Sequence, residues 1–202
     1  MSLQHALLGL LHYAPATGYE LKSAFTKSIH FFWNATLPQI YRTLTHMEKE
    51  GWLTATVQHQ EGKPSRKVYH ITGAGLEEFR RWLKEPPEMP QPRHPMLLKV
   101  FFGNQMDTAQ LATHLRGWME YHASLLEGLE KEVARSIEHY ATLKGVSEDT
   151  QYWAMALEFG KMHTRMVVDW CDKLLATLNH EEPAKSPQDR PNSPDKRGKI
   201  RR

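Results

Sequence analysis

One cysteine, Cys171, stands among 202 residues, so no intramolecular disulfide braces this chain, as suits a reducing compartment. No run approaches eighteen apolar residues, which leaves no membrane-spanning helix. The N-terminus, Ser2-Leu3-Gln4-His5-Ala6, has no cationic segment ahead of its first apolar run, so a secretory signal is not expected and a cytoplasmic location is. There is no internal repeat and no phosphate-cradling glycine loop. Twelve histidines are present, yet none has a convincing metal setting. His5 and His12 lie on an apolar helix, and His59 and His70 sit on strands without a cysteine or carboxylate cluster. Cys171, beside Asp172, has no partner histidine at a recognisable spacing. These absences argue against an enzyme and leave no cofactor or metal to expect.

What is present is a soluble globular composition, 40% apolar and 24% charged, whose net charge of +3 is unevenly spread. Residues 1–85 carry 10 Lys/Arg against 7 Asp/Glu, residues 86–180 carry 9 against 12, and the last 22 carry 7 against 4. A basic front and an acidic middle suggest that the front meets a polyanion.

Leu3, Ala6, Leu7, Leu10 and Leu11 recur at helical spacing, and Pro15 and Gly18 interrupt them. Thr17 stands at an N-cap position for a second helix carrying Tyr19, Leu21, Ala24 and Phe25. Phe31, Phe32 and Trp33 follow in a loop, either as an anchored connection under the domain or as a ligand surface. Thr36 caps a third helix with Pro38 in its first turn. Ile40, Leu44 and Met47 face inward there, while Gln39, Arg42, Thr43 and His46 face out, and Gly51 ends the helix.

Trp52 to His59 and Lys67 to Thr72 alternate as two strands around the turn Gln60-Glu61-Gly62-Lys63-Pro64-Ser65-Arg66. A fourth helix after Thr72 places Leu76, Phe79, Trp82 and Leu83 on one face. The expected fold is therefore mainly α. A winged helix-turn-helix (a three-helix core plus a two-stranded wing) over residues 1–85 precedes a linker over 86–95 that holds five prolines.

Residues 96–179 then read as an antiparallel helical hairpin that dimerises. Its first helix, capped by Asp107 or Thr108, carries Leu111, Leu115, Trp118, His122, Leu125 and Leu129, and the stripe passes to Val133, Ile137 and Tyr140 after a small register shift. The second, starting near Ser147 and Glu148, carries Trp153, Leu157, Val167, Trp170 and Leu174. A further stripe of Met155, Phe159, Met162 and Met166 demands burial on a second side, most economically against another subunit. The dimerising set is thus Leu111, Leu115, Trp118, Leu125, Trp153, Leu157, Val167, Trp170 and Leu174. Residues 180–202 are polar and basic and are expected to be disordered.

Taken together, Gly18-Tyr19-Glu20-Leu21, Pro38-x-Ile40-Tyr41-x-x-Leu44, Glu50-Gly51-Trp52-Leu53 and Arg66-Lys67-Val68-Tyr69-x-Ile71-Thr72-x-x-Gly75 resemble the PadR family of bacterial transcriptional regulators. The hairpin looks like the C-terminal domain of the larger subgroup, the one similar to the virulence-gene activator AphA. The resemblance implies a homodimer on a palindromic operator in double-stranded DNA, repression as the commoner mode, and a small, often aromatic, effector that controls release. Pro38-Gln39 stands where the family commonly has a small pair, and Arg42 where proline is common, so the target should differ from that of better-known relatives.

On that reading Gln39 can pair with adenine and Arg42 with guanine in the major groove, with Thr36, Thr43 and His46 in reserve. Tyr41 either reaches a phosphate or only packs into the core. Tyr19, assisted by Lys22, lies where a backbone amide and a phenol can meet one phosphate. Lys63, Ser65, Arg66 and Lys67 form a cationic wing tip suited to phosphate or the minor groove. An apolar effector pocket lined by Trp118, Trp153, Trp170, Phe159, Met155, Met162 and Met166 competes with plain core for those residues. The rival function is a winged-helix module that grips protein and does not bind DNA.

Overall fold

The computed structural model describes residues 2–60, 63–89, 93–141 and 148–180. The chain opens with α1 (Ser2–Tyr13), β1 (Ala16–Thr17), α2 (Gly18–Ser28) and α3 (Leu37–Lys49), then β2 (Leu53–Gln60), β3 (Lys63–Ile71) and α4 (Gly73–Lys84). Capping threonines start three of these helices. Thr17 Oγ1 accepts from the Glu20 amide at 3.2 Å while the Glu20 carboxylate accepts from the Thr17 amide at 2.8 Å. Thr36 and Gln39 make the same reciprocal box on α3, and Thr72 Oγ1 accepts from the Gly75 amide at 3.1 Å on α4. Each satisfies amides that the first helical turn leaves unpaired. Gly51 ends α3 with φ of +73°, a left-handed conformation that favours glycine.

The inward stripe of α3, Ile40, Leu44 and Met47, is completely buried. It joins Leu7, Leu8 and Leu11 of α1, Leu21 and Phe25 of α2, and Leu53 and Tyr69 of the sheet in one core. Each such side chain contributes about 1.5–3 kcal/mol of burial free energy. On α1 the buried line is shifted from the expected one, since Leu8 is enclosed and Leu3, Ala6 and Leu10 are half-buried. Gly9 lets Phe79 of α4 come close, because a Cβ there would sit 3.2 Å from that ring. Leu83 falls off the inward face of α4 and is exposed.

The sheet has three strands in the order β1-β3-β2, all antiparallel, where two were expected. The addition is the two-residue β1, which pairs Ala16 with Tyr69 and Thr17 with Val68. Two residues, the second of them the cap of α2, carry no alternation, so only tertiary pairing reveals them. The wing register slips between Gln58 and Gln60 near its tip.

Residues 86–89 and 93–94 form no regular structure, and Pro95 opens α5 (Pro95–Phe101) in its first turn, where its missing N–H costs nothing. A 3-10 turn, Gly103–Gln105, leads to α6 (Thr108–Gly128). A π-helical turn follows at Leu129–Val133, then α7 (Ala134–Ala141) and α8 (Thr150–His180). The register shift anticipated before Val133 is this π turn, which inserts the extra residue the stripe requires. Ser147 and residues 181–202, including the tail expected to be disordered, lie outside the described residues.

Two compact units emerge. Of the described residues, those within 2–89 and 125–162 make one unit and those within 93–124 and 163–180 the other. In the first, Phe31 of the aromatic loop lies against Gly160, where a Cβ would come within 2.5 Å of its ring, and α2 packs against the π turn. Phe31 is thus an anchor, while Phe32 and Trp33 stay exposed. In the second, Met96, Leu111, Leu115 and Cys171 form a core flanked by Val167, Trp170, Leu174, Leu175 and Leu178.

Candidate nucleic-acid interface

The exposed side of α3 follows from its buried one: with Ile40, Leu44 and Met47 inside, the positions between them must face out. Gln39, Arg42 and His46 are exposed and Thr43 is half-buried. Their side chains are not equally available. Gln39 Oε1 accepts from the Thr36 amide at 2.8 Å and from Thr36 Oγ1 at 3.0 Å, so its carbonyl serves the capping box. Thr43 Oγ1 donates to the Gln39 carbonyl at 2.9 Å. His46 lies 3.8 Å from Glu50 and edge-on to Trp52. Arg42 has no hydrogen-bond or ion-pair partner among the described residues.

Tyr41 stands at the junction of α2 and α3. A Cβ at Gly18 would lie 2.5 Å from its Cε1, so the ring rests on the Gly18 backbone, yet the side chain remains 43% exposed. Packing and access therefore coexist. Tyr19, at 71% exposure, projects from the first turn of α2. Lys22 is spoken for: its Nζ donates to the Ala35 carbonyl at 2.8 Å and ties α2 to the segment that precedes α3. It holds the helix-turn-helix together instead of standing free beside Tyr19.

The wing cations are partnered as well. Arg66 Nε donates to Gln58 Oε1 at 2.9 Å, and its guanidinium lies 3.7 Å from Glu20. Lys67 Nζ donates to Glu48 of α3 at 2.6 Å and lies 5.3 Å from the Tyr69 ring centre. The Glu48 hydrogen bond raises the Lys67 pKa. Burial pushes the Tyr69 phenol up. The Thr17 amide lowers the Glu20 carboxyl, with Arg66 adding to the effect. Ser65 Oγ and His59 Nδ1 share a 2.9 Å hydrogen bond across the hairpin. Lys63 begins β3, and its side chain lies outside the described residues.

The nine residues read as dimerising are mostly spent inside the chain. Leu111 and Leu115 are buried with Val167, Trp170 and Leu174 packed around them. Trp153 makes an edge contact with Tyr13 at 5.5 Å, Leu157 is buried, Leu125 is half-buried and Trp118 is exposed. Met155, Phe159, Met162 and Met166, offered for an effector pocket, are 56–66% exposed along α8 together with Tyr152. That arrangement is an open apolar face, not a pocket lining.

Residues 7–81 match the model of the Transcriptional regulator PadR-like family, and residues 92–179 that of Virulence activator alpha C-term. A probable transcriptional regulator of Mycobacterium tuberculosis is 32% identical over 196 residues, covering 90% of this chain and all of that protein. The chain belongs to the PadR-like family of transcriptional regulators.

Solved PadR-like folds align over nearly the whole chain. Bacillus subtilis PadR in complex with operator DNA superposes with a TM-score of 0.71 at 24% identity, covering 88% of this chain and 99% of that one. The same protein with p-coumaric acid gives 0.64 at 23%, over 89% and 96%. The Vibrio cholerae virulence activator AphA gives 0.68 at 26%, over 88% and 98%. The family and these relatives are regulators, not enzymes. No helix among the described residues is long and apolar enough to cross a membrane.

Proposed function

We propose that this PadR-like protein is a cytoplasmic repressor that occupies a palindromic operator as a homodimer and is released by a small aromatic effector. The observation that carries the reading is Arg42: an exposed guanidinium on the outer face of α3, without a hydrogen-bond or ion-pair partner among the described residues, beside a wing with cations on its stem. A guanidinium there suits the paired acceptors of guanine, worth about 1–3 kcal/mol of discrimination. Thr36, Thr43 and His46 flank it, and Gln39 reads adenine only by giving up its cap. Tyr19, Tyr41 and the wing residues Lys63, Ser65 and Arg66 supply phosphate contacts that set register.

Residues 1–85 do the reading and 96–179 the pairing. One winged domain offers little surface for a tight site, so pairing doubles it across half-sites about one helical turn apart. The open face of α8, Tyr152, Met155, Phe159, Met162 and Met166, has the exposure and apolar character of a surface that a second copy would cover. The operator and p-coumaric acid complexes of the Bacillus relative support the DNA and effector assignments.

The test is selection of a duplex from a random library by the full chain, followed by binding of Arg42→Ala and Arg66→Ala. Loss of preference with the first and general weakening with the second is the expected result. Failure to select any duplex at low salt would favour the protein-gripping module. In parallel, Phe159→Glu should shift the chain from dimer to monomer in sedimentation, and an unchanged mass would remove α8 from the interface.

A further inference from the structure

The acidic residues around the wing carry information that the cations alone do not. Side chains alternate across a strand, so Lys67, Tyr69 and Ile71 of β3 share one face. Tyr69 is only 3% exposed in the core, and Lys67 therefore leaves the strand toward the helices, not toward the wing's outer side. There it meets Glu48, in the last turn of α3, at 2.6 Å, with its ammonium beside the Tyr69 ring. Glu48 is the less exposed partner, at 33% against 44% for Lys67. The pair links the helix read here as entering the major groove with the strand that carries the wing.

We propose that Glu48 is a positioning residue for DNA recognition: by holding Lys67 it fixes the angle of the wing against α3, so that helix and wing reach the duplex together. The inference rests on the DNA-binding reading above. The two roles of Glu48 differ in the sign of the effect on binding. A carboxylate on a DNA-facing helix repels phosphate, so removing it as a mere bystander strengthens binding to every sequence. Removing it as a positioning group weakens binding to the matched sequence, because the free wing must be ordered anew in the complex.

The experiment compares full-length wild type, Glu48→Gln, Lys67→Met and the exchange Glu48→Lys/Lys67→Glu. The probes are a duplex selected from a random library by the wild type and poly(dI-dC) as the non-specific competitor. Glu48→Gln should bind the selected duplex about three- to five-fold more weakly, the scale of an exposed ion pair's coupling, while poly(dI-dC) binding holds or tightens. Lys67→Met should lose the same preference from the other side, and the exchange should restore most of it. Melting temperatures within about 2 °C of wild type are expected, since a pair this exposed adds little stability, and they separate positioning from unfolding. Equal tightening on both probes with Glu48→Gln would overturn the proposal, as would an exchange variant no better than either single one. A wild type that selects no duplex would instead overturn the DNA reading on which it stands.

Discussion

Gly75→Ala tests the packing that seats α4 on the wing. A Cβ at position 75 would stand 2.3 Å from the Trp52 carbonyl oxygen and 3.1 Å from Ile71 Cγ1. The oxygen belongs to backbone and is held, because it accepts from the Thr72 amide at 3.0 Å. Thr72 is pinned in turn, donating from Oγ1 to the Gly51 carbonyl at 2.7 Å and accepting from the Gly75 amide. No rotamer change relieves such a clash, so the first turn of α4 must move by roughly an ångström. Overpacking of this kind costs about 1–3 kcal/mol. Losing the Thr72 cap adds about 1 kcal/mol, against a helix-propensity gain for alanine that is no larger. A net loss of about 1–3 kcal/mol lowers Tm by about 2–12 °C for a chain of this size. Gly73→Ala is the control: it lies in the same turn with nothing within 4 Å of its Cβ position, and its Tm should stay or rise slightly. Circular-dichroism melts of both variants decide the matter. A Gly75→Ala protein that melts with Gly73→Ala would refute the packing argument.

Two pH experiments follow from buried or bonded groups. The Thr17 amide holds the Glu20 carboxyl below its ordinary value, so its contribution is present above that value, roughly pH 4.3, and fades as pH falls through the lowered native one. Glu20→Gln should therefore narrow the stability gap to wild type as pH falls from 6 to about 3, by a fraction of a kcal/mol given its exposure; a gap independent of pH would count against the bond. His122 of α6 is 6% exposed, neither ring nitrogen has a hydrogen-bond partner among the described residues, and burial together with His163 lowers its pKa. Below roughly pH 6.5 the unfolded chain takes up a proton that the native imidazole resists, so stability falls with pH. His122→Phe should flatten that slope in urea titrations, and an unchanged slope would show that the imidazole charges without penalty.

Much of the geometry of the candidate interface was legible because its signals are local. Thr17 and Thr36 cap their helices as read, Thr72 caps the helix expected after it, and Gly51 takes the left-handed turn expected of a helix stop. The buried stripe of α3 needs only the 3.6-residue period. Two refinements were also within reach. Thr36-x-x-Gln39 has the spacing of a reciprocal cap, which commits the Gln39 carbonyl, and strand alternation with Tyr69 turns Lys67 toward α3. Nothing in the chain announces the bond from Lys22 to the Ala35 carbonyl, whose partner is a backbone atom thirteen residues away.

The amino-acid order by itself determined where helices begin and end, which face of α3 is apolar and that a basic hairpin follows it, since caps, turns and periodicity act within a few residues. Only the tertiary structure decided which cations are free and which stripe of α8 stays open. Among the described residues Arg42 is unpartnered while Lys22, Arg66 and Lys67 are engaged, and Val167, Trp170 and Leu174 are packed while Met155, Phe159 and Met162 are exposed. Both outcomes depend on groups brought together from distant parts of the chain, and residue type alone is the same on either side of the choice.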